Sequence, residues 1–447
     1  LTVQLSDTNG EVQINIKNPY EYNLTINKKS KNGDAPVNKA TIVAERIDGV
    51  RAKDLYMTRD ATTKQQILKE IVDSTNKTSE VKLDRVPTIT SDDLLIKHNS
   101  SLMPLDDTTQ TWRIKESDVQ KPYVNALGDN YIIVQTVYHE GALNIVSHQD
   151  MINSEVKTLN YYVCDKNGND ITSKYLNIVD AKVEKINGKW NLGVTVKDPL
   201  KYYVNLTKVE YNSEDSSEYT LLKGAELEMS GNGNKVSITN GASTSESIPV
   251  EANPGDVTSF TVEELSSAAG HTNVLKDKKL TVIVRTDING DASVVGTVIV
   301  DTKLGKQLSD SEKQEVLKYI KFVKGTSPDG YPMIKVYVKN PIEYKFKLQK
   351  QDGSGDPLNG TEIEVKSSKS GTHYLNQQNL MEFVEGDLKP KEIVSYTIRE
   401  IHTVENSAYI NEFDKLINII VRIGEDGKAS IVGSNYVKKM DDGTVTN

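Results

Sequence analysis

The dominant pattern along the chain is a two-residue alternation of apolar and polar positions, in short runs rich in Val, Ile, Thr and Tyr broken by Asn-Gly, Asp-Gly and Ser-Gly turns. Such runs read as half-buried strands joined by hairpins, and their number predicts an all-β chain of sandwiches. Two stretches change period. Ala61 to Val72 carries Ile67, Leu68, Ile71 and Val72 at helical spacing, and Ser309 with Glu312 forms a capping box ahead of Val316, Leu317, Tyr319 and Ile320. Both are expected as minor helices inserted in strand connections.

The strand pattern repeats. INIKNPYEYNLTINKK from Ile14, VTVKDPLKYYVNLTKV from Val194 and VYVKNPIEYKFKLQKQ from Val336 each read as a strand ending in Asn or Asp, then Pro, a Tyr, and a second strand reaching Lys. The interval is ten residues each time, from Asn18 to Lys28, Asp198 to Lys208 and Asn340 to Lys350. Each Lys is followed by a strand ending in Glu (TWRIKE at Glu116, FTVEE at Glu264, YTIRE at Glu400), and then by a hairpin such as LTVIVRTDINGDASVV. The predicted units are 19–198, enlarged by an insertion near 50–110, then 199–340, and 341–447. Residues 1–18 stand ahead of them.

Lys, Glu and Asn or Asp recurring in this order have a chemistry in common. A Lys amine buried among apolar strands is disfavoured as a cation and becomes a neutral nucleophile. A buried Glu is pushed toward its protonated form, in which it can polarise an Asn or Asp carbonyl and shuttle protons. Attack expels ammonia from Asn or water from Asp and leaves an isopeptide bond between the first and last strands of a unit.

These motifs resemble the Cna-B or prealbumin-like (SpaA-type pilin) domains of Gram-positive surface adhesins and pilins, and the resemblance covers nearly the whole chain. It implies tandem immunoglobulin-like sandwiches with the triads Lys28, Glu116, Asp198 and Lys208, Glu264, Asn340. Lys350 and Glu400 form a third pair with no matching Asn downstream. It also implies a pilus-like or cell-wall location outside the cell. The pilin YPK sequence and the sortase LPxTG signal are absent, so sortase-built pili are not expected.

Composition fits this picture. With 447 residues the chain is long enough for about three domains, and at 36% hydrophobic residues their cores are lean. Cys164 is the single cysteine, which excludes internal disulfides. A net charge of −9 without basic clusters argues against nucleic acid. No apolar run approaches the about 20 residues that span a bilayer, so membrane insertion is not expected. The six His never fall at metal-ligand spacing, and no nucleophile-elbow, Walker or zinc-protease motif occurs. No cofactor, no metal and no turnover enzyme is expected, beyond single-turnover bond formation. Asp287 to Asp291 and Asp165 to Asn169 resemble the start of a calcium loop but place Gly too early, and read as hairpin turns.

The sequence after Leu176 in the first unit resembles the chain's own beginning, LTVQLSDTNGEVQINIKNP, whereas the third unit has no such segment. Residues 1–18 therefore read as a closing strand without a domain of their own. Val12, Ile14 and Ile16 fall on one face by strand alternation. The expectation is a filament subunit that donates this strand head-to-tail to its neighbour, with Asn18 meeting the neighbour's Lys350 and Glu400. A stalk segment of a tandem-repeat adhesin, or an adhesin with a ligand site in the first unit, is the alternative.

Overall fold

The computed structural model describes residues 2–8, 11–17, 20–31, 34–47, 54–55, 58, 60–96, 109–139, 141–152, 154–211, 219–239, 243–287, 289–376, 381–402, 415–424, 427–439 and 445–446. These residues are overwhelmingly strand, with α-helices at Ala61–Asp73 and Asp310–Leu317. The tandem all-β sandwich architecture expected from the alternation is the observed one.

The first unit packs two sheets. One runs Val179–Ile186, Lys189–Asp198, Tyr20–Ser30, Thr88–Ile96; the other is built from Tyr162–Cys164, Tyr131–His139, Gln110–Val119, Ala40–Ile47 and Lys77–Asp84. The second unit repeats this plan. Its smaller sheet runs Ser245–Ala252, Leu200–Glu210, Pro332–Asn340, Ile320–Thr326, and its larger one centres on Val257–Ser266 and Lys278–Thr286. In both, the closing hairpin lays its last strand parallel to the first strand of the same unit. Val196 then stands opposite Lys28, and Val338 opposite Lys208. Because a parallel pair cannot be joined by a tight turn, the whole unit lies between its two central strands.

The third unit departs from the plan. Its larger sheet, centred on Ile393–His402 and Lys415–Ile423, is present, but among the described residues the smaller one has two strands, Ile342–Lys347 and Glu382–Leu388. Among the described residues no closing hairpin pairs with Ile342–Lys347. That strand stops after six residues, where its counterparts Tyr20–Ser30 and Leu200–Glu210 run to eleven. The N-terminal segment read as one closing strand is a hairpin: Thr2–Thr8 pairs antiparallel with Glu11–Lys17, and neither pairs with any other described strand.

Consecutive units are joined by a repeated backbone contact. Val124 N–H donates to the Pro199 carbonyl at 3.0 Å and Lys201 N–H to Pro122 at 2.9 Å; Thr272 N–H donates to Pro341 at 2.9 Å and Glu343 N–H to Gly270 at 2.9 Å. Gly290 closes the first joint. Its φ is +89°, and a Cβ there would lie 2.3 Å from Pro122 Cγ.

Two expectations are corrected. The capped helix covers Asp310–Leu317 only, and Ile320 opens a strand, because it is needed opposite Val338 in the closing hairpin. Within the stretch expected as an insertion, Lys77–Asp84 and Thr88–Ile96 each pair with strands of the first unit, and Ala61–Asp73 is the helix among its described residues. That helix buries Ile67, Leu68, Ile71 and Val72, and Asp60 caps it by accepting from Thr63 N–H at 2.7 Å. The two loops with calcium-like starts are turns. Asp287 accepts from the backbone of Asn289 and Asp291, and Asp165 from that of Asn167 and Asn169.

Candidate functional site

Strand alternation carries the charged residues inward. The period that buries Tyr22, Leu24 and Ile26 also buries Lys28, and the one that buries Tyr202, Val204 and Leu206 buries Lys208. On the facing sheet Trp112 and Ile114 lead to Glu116, and Phe260 and Val262 lead to Glu264. The closing strands deliver Asp198 after Val194 and Val196, and Asn340 after Val336 and Val338. Three strands from both sheets thus converge at one end of each core.

In the first unit Lys28 Nζ lies 2.6 Å from Glu116 Oε1 and 2.8 Å from Asp198 Oδ2, with all three side chains sealed from solvent. Asp198 also accepts from the Ala126 N–H at 3.0 Å. One cation cannot neutralise two carboxylates, and a dry site does not tolerate the surplus charge. Burial, with the Asp198 charge adding to it against the pull of Lys28, pushes Glu116 up to about 8. Burial raises Asp198 as well, against the attraction of Lys28.

In the second unit Lys208 Nζ donates to Glu264 Oε1 at 2.8 Å and to Asn340 Oδ1, while Asn340 Nδ2 donates to the same Glu264 Oε1 at 2.5 Å. The side chains of Lys208 and Glu264 are sealed, and Asn340 is fully buried. Burial pushes the Lys208 ammonium down to about 8, against the attraction of Glu264. One carboxylate oxygen therefore touches both the nitrogen that would attack and the nitrogen that would leave. This is the arrangement a proton shuttle needs.

The third pair is different. Lys350 Nζ reaches Glu400 Oε2 at 3.2 Å, but its side chain keeps 28% of its surface exposed. Lys350 lies beyond the end of Ile342–Lys347, so it is not buried as the triad chemistry requires. Among the described residues no parallel strand lies beside Lys350, and a strand end without a partner has no ladder to extend it. Asn18 lies outside the described residues. Asn435 of the same unit is exposed on Ala429–Lys439 opposite Asn418.

Other buried polar groups were not signalled by the repeats. Trp112 Nε1 donates to Tyr22 Oη at 2.8 Å, and Tyr22 donates to Gln110 at 2.5 Å, tying the first strand of the unit to the facing sheet. In the third unit Glu385 is fully buried and accepts from Ser367 at 2.6 Å and Tyr396 at 2.9 Å. Its counterpart opposite Tyr202 is Val250, so a register comparison of the repeats was the available signal.

No protein-family model and no curated protein matches the chain. It is similar to solved structures of Gram-positive pilins and pilus adhesins. The C-terminal fragment of the pilus adhesin SpaC from Lactobacillus rhamnosus GG is 10% identical, with 72% of this chain and 97% of that one covered and a TM-score of 0.23. Against a structure of SpaC of which 41% is covered, 94% of this chain aligns, at 10% identity and a TM-score of 0.24. The T6 backbone pilin of Streptococcus pyogenes is 8% identical, with 91% and 81% covered and a TM-score of 0.25.

Proposed function

We propose that the chain is a structural subunit of an extracellular surface fibre whose units are locked by self-formed isopeptide bonds, Lys28 to Asp198 and Lys208 to Asn340. The observation that carries this reading is the shared contact of Glu264 Oε1 with the Lys208 amine and the Asn340 amide. Glu264 takes a proton from Lys208, and the neutral amine attacks Asn340 Cγ. The carboxylic acid passes the proton to the departing amide nitrogen, and the carboxylate so regenerated takes the second proton from the newly bonded Lys208 nitrogen. One C–N bond forms, one breaks, and ammonia leaves. In the first unit the step needs Lys28 neutral and Asp198 protonated, which one proton moved from Lys28 to Asp198 supplies, and water leaves.

The same chemistry extends to assembly. The N-terminal segment of one subunit inserts in the third unit of the next, with Asn18 presented to Lys350 and Glu400, and the contact repeats head-to-tail into a filament. The unpartnered edge of Ile342–Lys347 among the described residues supports it. A sandwich left open exposes a ladder edge, and donated strands are a known remedy.

Intact mass of the denatured chain tests the internal bonds. It should fall below the sequence mass by one water plus one ammonia, and an unreduced mass would sink the reading. Asn18→Ala tests the external bond: filaments should still assemble but separate in hot detergent, and a ladder as resistant as that of the unmutated protein excludes Asn18.

A further inference from the structure

The central strand pair of the larger sheet keeps the same register in the second and third units, down to a bulge between Ile283 and Val284 in one and between Ile420 and Val421 in the other. Burial does not match. Leu280 and Ile299, a cross-strand pair, are fully buried, whereas their counterparts Ile417 and Tyr436 are 41% and 51% exposed. Beside them a cleft of about 360 Å³ opens between the sheets, lined by Tyr344, Phe346, Leu348, Ile398, Ile419 and Val421 among others. In the second unit the corresponding side of the core is closed by the hairpin Ile320–Thr326 and Pro332–Asn340.

Within this chain the first two units are each closed by two strands. The segment 2–17 has the same form, an antiparallel hairpin whose second strand runs in alternating apolar residues toward Asn18, as Lys189–Asp198 runs toward Asp198. We propose that the third unit takes the whole hairpin of a second copy, not one strand, in a single parallel register that sets Ile16 opposite Lys350 and Gln13 opposite Lys347. The register follows from the two closed units, where Val196 faces Lys28 and Gly193 faces Thr25, and Val338 faces Lys208 and Lys335 faces Asn205. Docked so, Glu11–Lys17 is the inner strand beside Ile342–Lys347 and Thr2–Thr8 is the outer edge. The two-stranded sheet becomes a four-stranded one like those of the other units. This inference rests on the head-to-tail reading but not on its covalent step.

The test is a cysteine pair in the full chain, Gln13→Cys with Lys347→Cys, made in both the natural and the Asn18→Ala backgrounds. Mild oxidation should give a disulfide ladder of two, three and more copies in each background, while Asn15→Cys with Lys347→Cys, shifted by two residues, should give at least tenfold less. A ladder favouring the shifted pair overturns the register. A disulfide closed within one copy, or no ladder although both single-substitution proteins fold and melt normally, overturns docking of a second copy. The outer strand has its own readout. A peptide of residues 1–18 should suppress the ladder at concentrations at least tenfold below those needed by a peptide of residues 11–18, and equal potency overturns the two-strand form. Should the ladder persist while no isopeptide bond is found by mass, the covalent step fails and the docking stands.

Discussion

At the scale of single residues the design depends on water being kept from three or four polar atoms. Glu264 is the one whose loss is cleanest to read. Glu264→Gln keeps the shape but cannot accept and return a proton, so the chain should retain the mass of one ammonia. Its second unit should lose on the order of 5 kcal/mol, the chain-entropy value of a link across 132 residues, seen as a lowered melting transition. Glu116 makes a pH prediction. Before the Lys28 to Asp198 bond forms, its folded-state value, about 8, lies above the ordinary 4.5, so the unbonded first unit holds a proton that the unfolded chain releases. The stability this proton contributes is full below about 4.5 and is lost as pH rises through about 8. In a Lys28→Arg chain, which keeps the cation but cannot form the bond, amide exchange of Tyr20–Ser30 should therefore quicken from pH 5 to 8 beyond the intrinsic rate, and adding Glu116→Gln should flatten that trend. Lys350 makes the opposite case. With its side chain 28% exposed it should react with amine-labelling reagents in the unassembled subunit, whereas Lys28 and Lys208, sealed in their cores, should not. Equal labelling of all three would contradict the burial difference. The inward facing of Lys28, Glu116, Lys208 and Glu264 was legible in the sequence because a period of two admits no ambiguity about which face a residue takes, whereas Lys350 lies beyond its strand. Gln110 and Glu385 were not, since nothing in a local pattern tells a buried, hydrogen-bonded polar side chain from a solvated one.

At the scale of elements, strands and turns followed from alternation and turn chemistry, while helix ends and the hairpin form of residues 2–17 did not. Ser309 and Glu312 specify where a helix begins, but its end was decided by a tertiary demand, the pairing of Ile320 with Val338. That the first and last strands of a unit meet was expected from the recurring Lys and Asn or Asp; that they run parallel was not, because each pair spans nearly an entire unit. Joints between units are elements too, and Gly290 is the residue to break. Gly290→Ala combines an unfavourable φ with a 2.3 Å approach to Pro122, so the first and second units should separate as far as their linker allows. Small-angle scattering should show a larger spread of dimensions while the mass change stays intact; unchanged scattering would mean that the turn around Gly290 does not hold the joint.

At the scale of the whole molecule, the parallel placement of first and last strands determines where tension travels. In the proposed fibre, with Lys28 bonded to Asp198 and Lys208 to Asn340, a pull would cross each bond and then the ten residues to the next Lys, roughly 33 Å of already extended strand. Everything between Lys208 and Asn340 hangs beside that line without bearing load. A protease site placed in the exposed turn at Gly255 and Asp256 should then be cut without consequence for strength. The two fragments should run as one branched species in denaturing gels, and single-molecule pulling should show no added extension. The same logic frees the sequence: a unit can acquire a helix such as Ala61–Asp73, or any other decoration, at no mechanical penalty, because variation is confined to the part of the fold that the force never visits.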